Sequence, residues 1–142
     1  MNQEDIVNHI LLELRLLIKN FHHSRIKKDF GFTYNESLLL KALREHPGMH
    51  PRELAEIVGS EKSTISRQVT TLEKKGYLQK IEDPLNKRSH RLALTPFGEQ
   101  ALRDSDQLWA GLLEKHLKDW MPEERQLFLA LLEKYNKTAN LN

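Results

Sequence analysis

Glu61-Lys62-Ser63-Thr64-Ile65-Ser66-Arg67-Gln68-Val69-Thr70-Thr71-Leu72-Glu73-Lys74-Lys75 is the stretch on which the reading of this chain turns. Ile65, Val69 and Leu72 are spaced four and three apart, which places them on one face of an α-helix. Lys62, Ser63, Ser66, Arg67, Thr70 and Lys74 fall outside that face. They are short hydroxyls and long bases, and no acid follows Glu61 in the first turns. Small polar side chains permit close approach to base edges, and an arginine fork fits guanine O6 and N7. The amides at a helix N-terminus favour phosphate. A solvated amphipathic helix would show the same outer face, so the neighbouring sequence has to decide.

Upstream, Pro47-Gly48 breaks the chain and Pro51 suits the first position of a short helix, Arg52 to Val58. Gly59 makes a turn, and Ser60 is the expected N-cap of the helix that follows. Downstream, Gly76 ends that helix. Tyr77 to Glu82 and Ser89 to Leu94 have strand character, and the polar turn Asp83-Pro84-Leu85-Asn86-Lys87-Arg88 lies between them. The centre of the chain therefore reads as a helix-turn-helix followed by a β-wing with a basic tip.

Further out, Thr33-Tyr34-Asn35-Glu36 forms a capping box that opens a helix to about Glu45, with Leu38, Leu39, Ala42 and Leu43 facing inward. Thr95-Pro96 caps another helix carrying Leu102, Trp109, Leu112, Leu113, Leu117 and Trp120. Pro122-Glu123-Glu124 opens the last, with Leu127, Phe128, Leu131, Leu132 and Tyr135. The first helix is expected from Asp5 to Lys28, with Ile6, Ile10, Leu14, Leu17 and Phe21 in register and Gly31 as its stop. The fold class is mainly α with a small β-wing. Residues 1–142 are expected as a single winged-helix domain, with 33–95 as the DNA-binding lobe and 1–30 and 96–142 as dimerisation helices.

Composition excludes several classes of function. The 142 residues, 39% hydrophobic and 30% charged, suit one globular domain. With no cysteine there is no disulfide, thiol catalysis or Cys-ligated zinc. No apolar run approaches the roughly 20 residues a membrane span needs. The start, Met1-Asn2-Gln3-Glu4-Asp5, lacks the basic opening of a secretory signal, so the expected location is the cytoplasm. The net charge is only +2, yet Lys62 to Arg91 carries +5 and Leu92 to Asn142 carries −2. A local basic stretch of this kind suits a polyanion.

Glu53-Leu54-Ala55-Glu56, Thr64-Ile65-Ser66-Arg67, Leu72-Glu73-Lys74-Lys75-Gly76-Tyr77-Leu78, Asp83-Pro84-Leu85-Asn86-Lys87-Arg88-Ser89 and Leu94-Thr95-Pro96-Phe97-Gly98, in that order, resemble the MarR family of bacterial transcription regulators. The resemblance spans Arg52 to Gly98, and the terminal helices match only in position and character. It implies a winged-helix homodimer on double-stranded DNA, with a ligand-responsive repressor as the expected output. Carried over by position, Lys62, Ser63, Thr64, Ser66, Arg67 and Gln68 meet the major groove or its phosphates. Arg88, flanked by Lys87 and Ser89, is the minor-groove arginine of the wing, and a narrow A·T-rich groove attracts a guanidinium. Three positions depart from the family pattern. Asn86 stands where an Asp often pairs with the wing arginine. His50 stands where a Ser or Thr often caps the short helix, leaving either a weaker cap or a phosphate-contacting imidazole. Met121 stands where a cap often precedes the last helix, with Glu124 in partial compensation.

The chain ends carry more apolar surface than a winged-helix domain can bury, which makes Ile6, Ile10, Leu14, Leu127, Leu131 and Tyr135 the dimerisation candidates. Two recognition helices about 34 Å apart would then read an inverted repeat. The family often binds small aromatic acids or phenols, and the candidate lining here is Arg15, Phe21, His22, Arg25, Tyr34 and Trp109. No metal or other cofactor is expected. His22 and His23 point about 100° apart on a helix, and Pro47-Gly48 interrupts the spacing of His46 and His50. A protein-interaction winged helix without DNA binding is the alternative function. An enzyme is not expected, since Ser63, Ser66 and His90 form no triad order and no Gly-rich phosphate loop occurs.

Overall fold

The structure is a computed structural model and describes residues 1–22, except the side chain of His22, and 31–140. Its elements are α1 (Gln3–His22), α2 (Tyr34–Glu45), α3 (Pro51–Val58), α4 (Lys62–Lys74), β1 (Leu78–Asp83), β2 (Asn86–Leu94), α5 (Pro96–His116) and α6 (Pro122–Ala139). The class is mainly helical with one two-stranded antiparallel sheet, a helix-turn-helix and wing as expected. The chain divides into two compact units, Met1–Ser105 and Asp106–Asn142. Between residues 23 and 30, where the first helix was expected to continue, nothing is described.

Local chemistry sets the element ends. The Thr33 hydroxyl accepts from the Glu36 amide at 3.2 Å and the Glu36 carboxylate accepts from the Thr33 amide at 3.2 Å, closing the expected capping box. Thr95 Oγ1 accepts from the Gly98 amide at 3.0 Å and starts α5. Glu124 accepts from the Met121 amide at 2.8 Å, so the N3 carboxylate does reach back. Gly59 and Gly76 sit at φ 73° and 84°, a conformation that favours glycine.

Four expectations are corrected. Ser60 does not cap α4. Its amide bonds to Ala55 O at 3.1 Å and so finishes α3, which moves the N-cap to Glu61, whose side chain makes no capping bond. In α2 the buried set is Ser37, Leu39, Leu40, Ala42 and Leu43, while Leu38 is exposed. The helix after Thr95 ends at His116, before Leu117 and Trp120. The turn between the strands is tighter than Asp83 to Arg88, because Asp83 pairs directly with Asn86 and only Pro84 and Leu85 form the tip.

The core of the first unit joins every element from α2 to α5. Leu39, Leu40 and Leu43 from α2 meet Leu54 of α3, Ile65 and Leu72 of α4, Leu78 of β1, Leu92 of β2 and Leu102 of α5. Each is buried, and each contributes about 1.5–3 kcal/mol of transfer energy. Tyr77 closes the junction between α4 and the sheet. Its ring stacks on Phe97 at 5.1 Å and meets Phe32 edge-on at 5.3 Å. Met49 adds a one-residue bridge to Leu92, through Leu92 N to Met49 O at 2.7 Å and Gly48 N to Leu92 O at 3.0 Å. That bridge runs the segment before α3 along the open edge of β2.

α1 and α6 look different. Val7, Ile10, Leu11, Leu12, Leu16, Leu17 and Ile18 of α1 are exposed, and α6 has no buried residue at all. Of the candidate dimer residues, Ile10, Leu127, Leu131 and Tyr135 are 51–61% exposed, while Ile6 and Leu14 are half-buried. Within the second unit, Arg125 holds both carboxylate oxygens of Glu114 at 3.0–3.1 Å and donates to Leu117 O at 2.6 Å.

Candidate nucleic-acid interface

α4 buries Ile65, Val69 and Leu72 and turns its other side outward. Lys62, Ser63, Ser66 and Arg67 are exposed, and Thr64 and Gln68 are half-buried. Neither Glu61 at the N-cap of α4 nor His50 at the N-cap of α3 places its side chain on the helix amides. The first amides of both helices are therefore left without a side-chain acceptor, the arrangement that suits phosphate oxygens.

The bases divide into two groups. Lys75 donates to Gly31 O at 2.8 Å and Lys80 lies 3.8 Å from Glu73, so these two serve the fold. Among the described residues, Lys62, Arg67, Lys87 and Arg88 have no ion pair or side-chain hydrogen bond. These four cations, held by no described residue, suit an external anion. Thr70 and Thr71 return their hydroxyls to Ser66 O and Arg67 O, each at 3.0 Å.

The wing is a hairpin with a bulge. Partners run regularly from Leu78 and Leu94 to Glu82 and His90, and then Asp83 pairs with Asn86. Lys87, Arg88 and Ser89 are thereby inserted on one strand with no partner on the other, and bulges of this kind re-aim side chains. Asn86 Oδ1 accepts from the Arg88 backbone amide at 3.1 Å, so Asn86 shapes the bulge and does not bond the guanidinium. Lys87 and Arg88 are exposed, while Ser89 is half-buried.

Between α3, α4 and the wing lies a cleft of about 660 Å³. Arg52, Lys62, Lys80 and Arg88 line it, with Glu53 as the opposing acid, and Ser66 and Thr70 add hydroxyls. Of the recognition-helix and wing candidates, Lys62, Ser66, Arg88 and Ser89 are thus brought to one basic concavity, although they lie some 20 residues apart in sequence, while Ser63, Thr64, Arg67, Gln68 and Lys87 do not line it.

His50, Asp83 and Arg91 form a cluster against the outer half of the wing that sequence reasoning did not identify. His50 Nδ1 lies 3.0 Å from Ser89 Oγ and 3.2 Å from His90 O, and its Nε2 is 3.4 Å from Asp83 Oδ2. Arg91 Nε is 3.7 Å from the same oxygen. Asp83 is buried, and its Oδ1 accepts from the Leu85 amide at 3.0 Å. Sequence reading took Asp83 for a turn residue. Its link to His50 is made through the tertiary fold, and no local spacing signals it.

The expected effector-pocket residues are only partly gathered. Phe21 and Tyr34 meet edge-on at 6.0 Å. Arg15 is exposed and Trp109 half-buried. Arg25 and the side chain of His22 lie outside the described residues. Among the described residues no group of three His, Cys, Asp or Glu side chains gathers to hold a metal ion, and no helix is long and apolar enough to cross a membrane.

Residues 32–90, from the residue before the capping box to the wing bulge, match the family model of the MarR family. An HTH-type transcriptional regulator of Bacillus subtilis, YxaD, is 35% identical over 111 residues, covering 78% of each chain. The HTH-type transcriptional regulator BilQ of Clostridium symbiosum is 30% identical over 118 residues, covering 83% of this chain and 81% of that one. Among solved structures, a MarR family protein from Bacillus stearothermophilus superposes with a TM-score of 0.85 over 99% of both chains at 20% identity, a likeness of fold. The PcaV transcriptional regulator from Streptomyces coelicolor, in complex with its natural ligand, is 26% identical with a TM-score of 0.60, covering 97% of this chain and 94% of that one. With its helix-turn-helix, its wing and these relatives in agreement, the chain belongs to the MarR family, whose members are transcription regulators and not enzymes.

Proposed function

We propose that this regulator reads a specific double-stranded DNA sequence as a homodimer on an inverted repeat, and that it represses transcription in the cytoplasm until a small aromatic acid or phenol releases it. The observation that carries the reading is the pairing of the open face of α4 with the basic wing bulge across one cleft. α4 has the dimensions and side chains for a major groove, with Lys62, Ser63, Thr64, Ser66, Arg67 and Gln68 on its outer half. The wing carries Lys87, Arg88 and Ser89 toward the neighbouring minor groove. In this reading residues 33–95 are the DNA-reading lobe, and helices within 1–30 and 96–142 pair two copies. The exposed apolar faces of α1 and α6 support that assignment. Support for a ligand comes from PcaV, whose solved complex contains its natural ligand.

The test is fluorescence anisotropy on the DNA upstream of the chain's own coding sequence and on a shuffled control, at two salt concentrations. Tight saturable binding to the first, with weaker and salt-steep binding to the second, is the expected result. Equal salt-steep binding to both reduces the function to electrostatics. No binding to either favours a winged helix used for protein contact alone.

A further inference from the structure

We propose that His50 is a positioning residue for DNA recognition, holding the wing bulge in place instead of capping its own helix. This rests on the DNA-binding reading above. His50 occupies the N-cap of α3 in the extended conformation that a capping residue adopts, with φ −78° and ψ 150°. Yet its ring makes no bond to the α3 amides. The ring is turned toward the wing instead.

The backbone explains why the ring can reach. The Met49–Leu92 bridge sets the chain before α3 against the edge of β2, so position 50 lies beside residues 89 to 91. There the imidazole meets Ser89 Oγ at 3.0 Å and His90 O at 3.2 Å through Nδ1, and Asp83 Oδ2 at 3.4 Å through Nε2. Whichever ring nitrogen carries the hydrogen, it faces an acceptor on the wing: Asp83 for Nε2, the His90 carbonyl for Nδ1. Ser89 is the last residue of the bulge, and Arg88 is its neighbour. Asp83 fixes the other side of the hairpin, because its second oxygen holds the Leu85 amide at the tip. One ring thus grips both strands of the wing near its tip, from the start of the helix that leads into the recognition helix.

A serine at position 50 separates the two roles. It supplies the α3 cap that the imidazole omits, and it is too short to span to Asp83. If His50 served only the stability of the fold, His50→Ser would leave DNA discrimination unchanged or improve it along with the stability. If it positions the wing, the protein stays folded while the wing loosens.

The experiment uses the full chain as wild type, His50→Ser, Arg88→Ala and the double variant. Thermal unfolding should show His50→Ser no less stable than wild type. Backbone ¹⁵N relaxation of the free protein should show lower order parameters for Lys87 to His90 in His50→Ser. Binding is then measured on sites flanked by A·T-rich and G·C-rich DNA. His50→Ser should weaken binding to the A·T-flanked site by about three- to tenfold. Arg88→Ala should cost far less in the His50→Ser background than in wild type, because a loose wing has already lost that contact. Unchanged order parameters in the wing would overturn the proposal. So would independent effects of His50→Ser and Arg88→Ala. If wild type and Arg88→Ala bound both sites alike, the minor-groove reading would fall, and the relaxation data would still decide whether His50 holds the wing.

Discussion

Arg67 and Arg88 share a chemical group and differ in setting. Arg67 projects from a helix and has no side-chain partner among the described residues, so it can form a bidentate contact. Arg67→Ala should cost about 1–3 kcal/mol on the specific site and relax preference at one base pair. Anisotropy titrations against site variants and random DNA check this, and an equal loss on both would reassign Arg67 to a phosphate. Arg88 projects from a bulge shaped by Asn86. Arg88→Ala should weaken binding most where the flanks are A·T-rich, and a loss independent of flank composition would remove the minor-groove role. The exposed position of Arg67 was legible in the sequence because it follows from a helical repeat, while Arg88 was singled out through the family resemblance and expected in a turn. The partner of Asn86 was not legible, since a side chain that reaches a backbone amide leaves no pattern in the residues around it.

At the scale of elements, the two capping boundaries with a strong local signal were legible and a third was misread. Thr33-Tyr34-Asn35-Glu36 and Thr95-Pro96 carry their own hydrogen-bond partners within three residues, and both caps form. Thr33→Ala should therefore cost about 1 kcal/mol in urea denaturation followed by circular dichroism. A change within error would mean that α2 is held by its core leucines alone. Ser60 failed as a cap because α4 begins at Lys62, one residue later than expected, which puts Glu61 in the cap position, a shift that only the intact turn reveals. The wing was legible as a hairpin but not as a bulged one, for the register depends on which residues pair across the strands. Gly98 marks the tightest junction. A Cβ there would meet the backbone carbonyl of Tyr77 well inside contact distance. Gly98→Ala should cost at least about 2 kcal/mol and disturb the joint between wing and α5. A thermal midpoint equal to wild type would show that the joint is softer than its geometry indicates.

For the whole molecule, the central lobe was legible and the ends were not. A winged helix has caps, turns and a periodic buried face in one continuous stretch, and residues 33–95 display all three. The terminal helices show only an excess of apolar residues, which states that something must cover them without saying where. In the homodimer proposed above, a charge on that surface should separate the copies without unfolding either. Leu131 is 55% exposed, so Leu131→Glu leaves no buried charge in the isolated chain. Sedimentation should show it as a monomer, and affinity for an inverted repeat should fall by about a hundredfold or more through loss of the second half-site. A Leu131→Glu protein that still sediments as a dimer would move the interface elsewhere.

The same open faces tie the persistence of this fold to how much of it is present. In the proposed homodimer a helix such as α1, with eight large apolar side chains exposed, gains its missing burial from the other copy. Under the assembly proposed here, stability then follows mass action, and the thermal midpoint climbs as the protein is concentrated. Scarce chains would be the first to unfold and be degraded, while abundant ones would protect each other. The number of copies in the cell would thereby set the lifetime of each copy as well as the occupancy of its DNA.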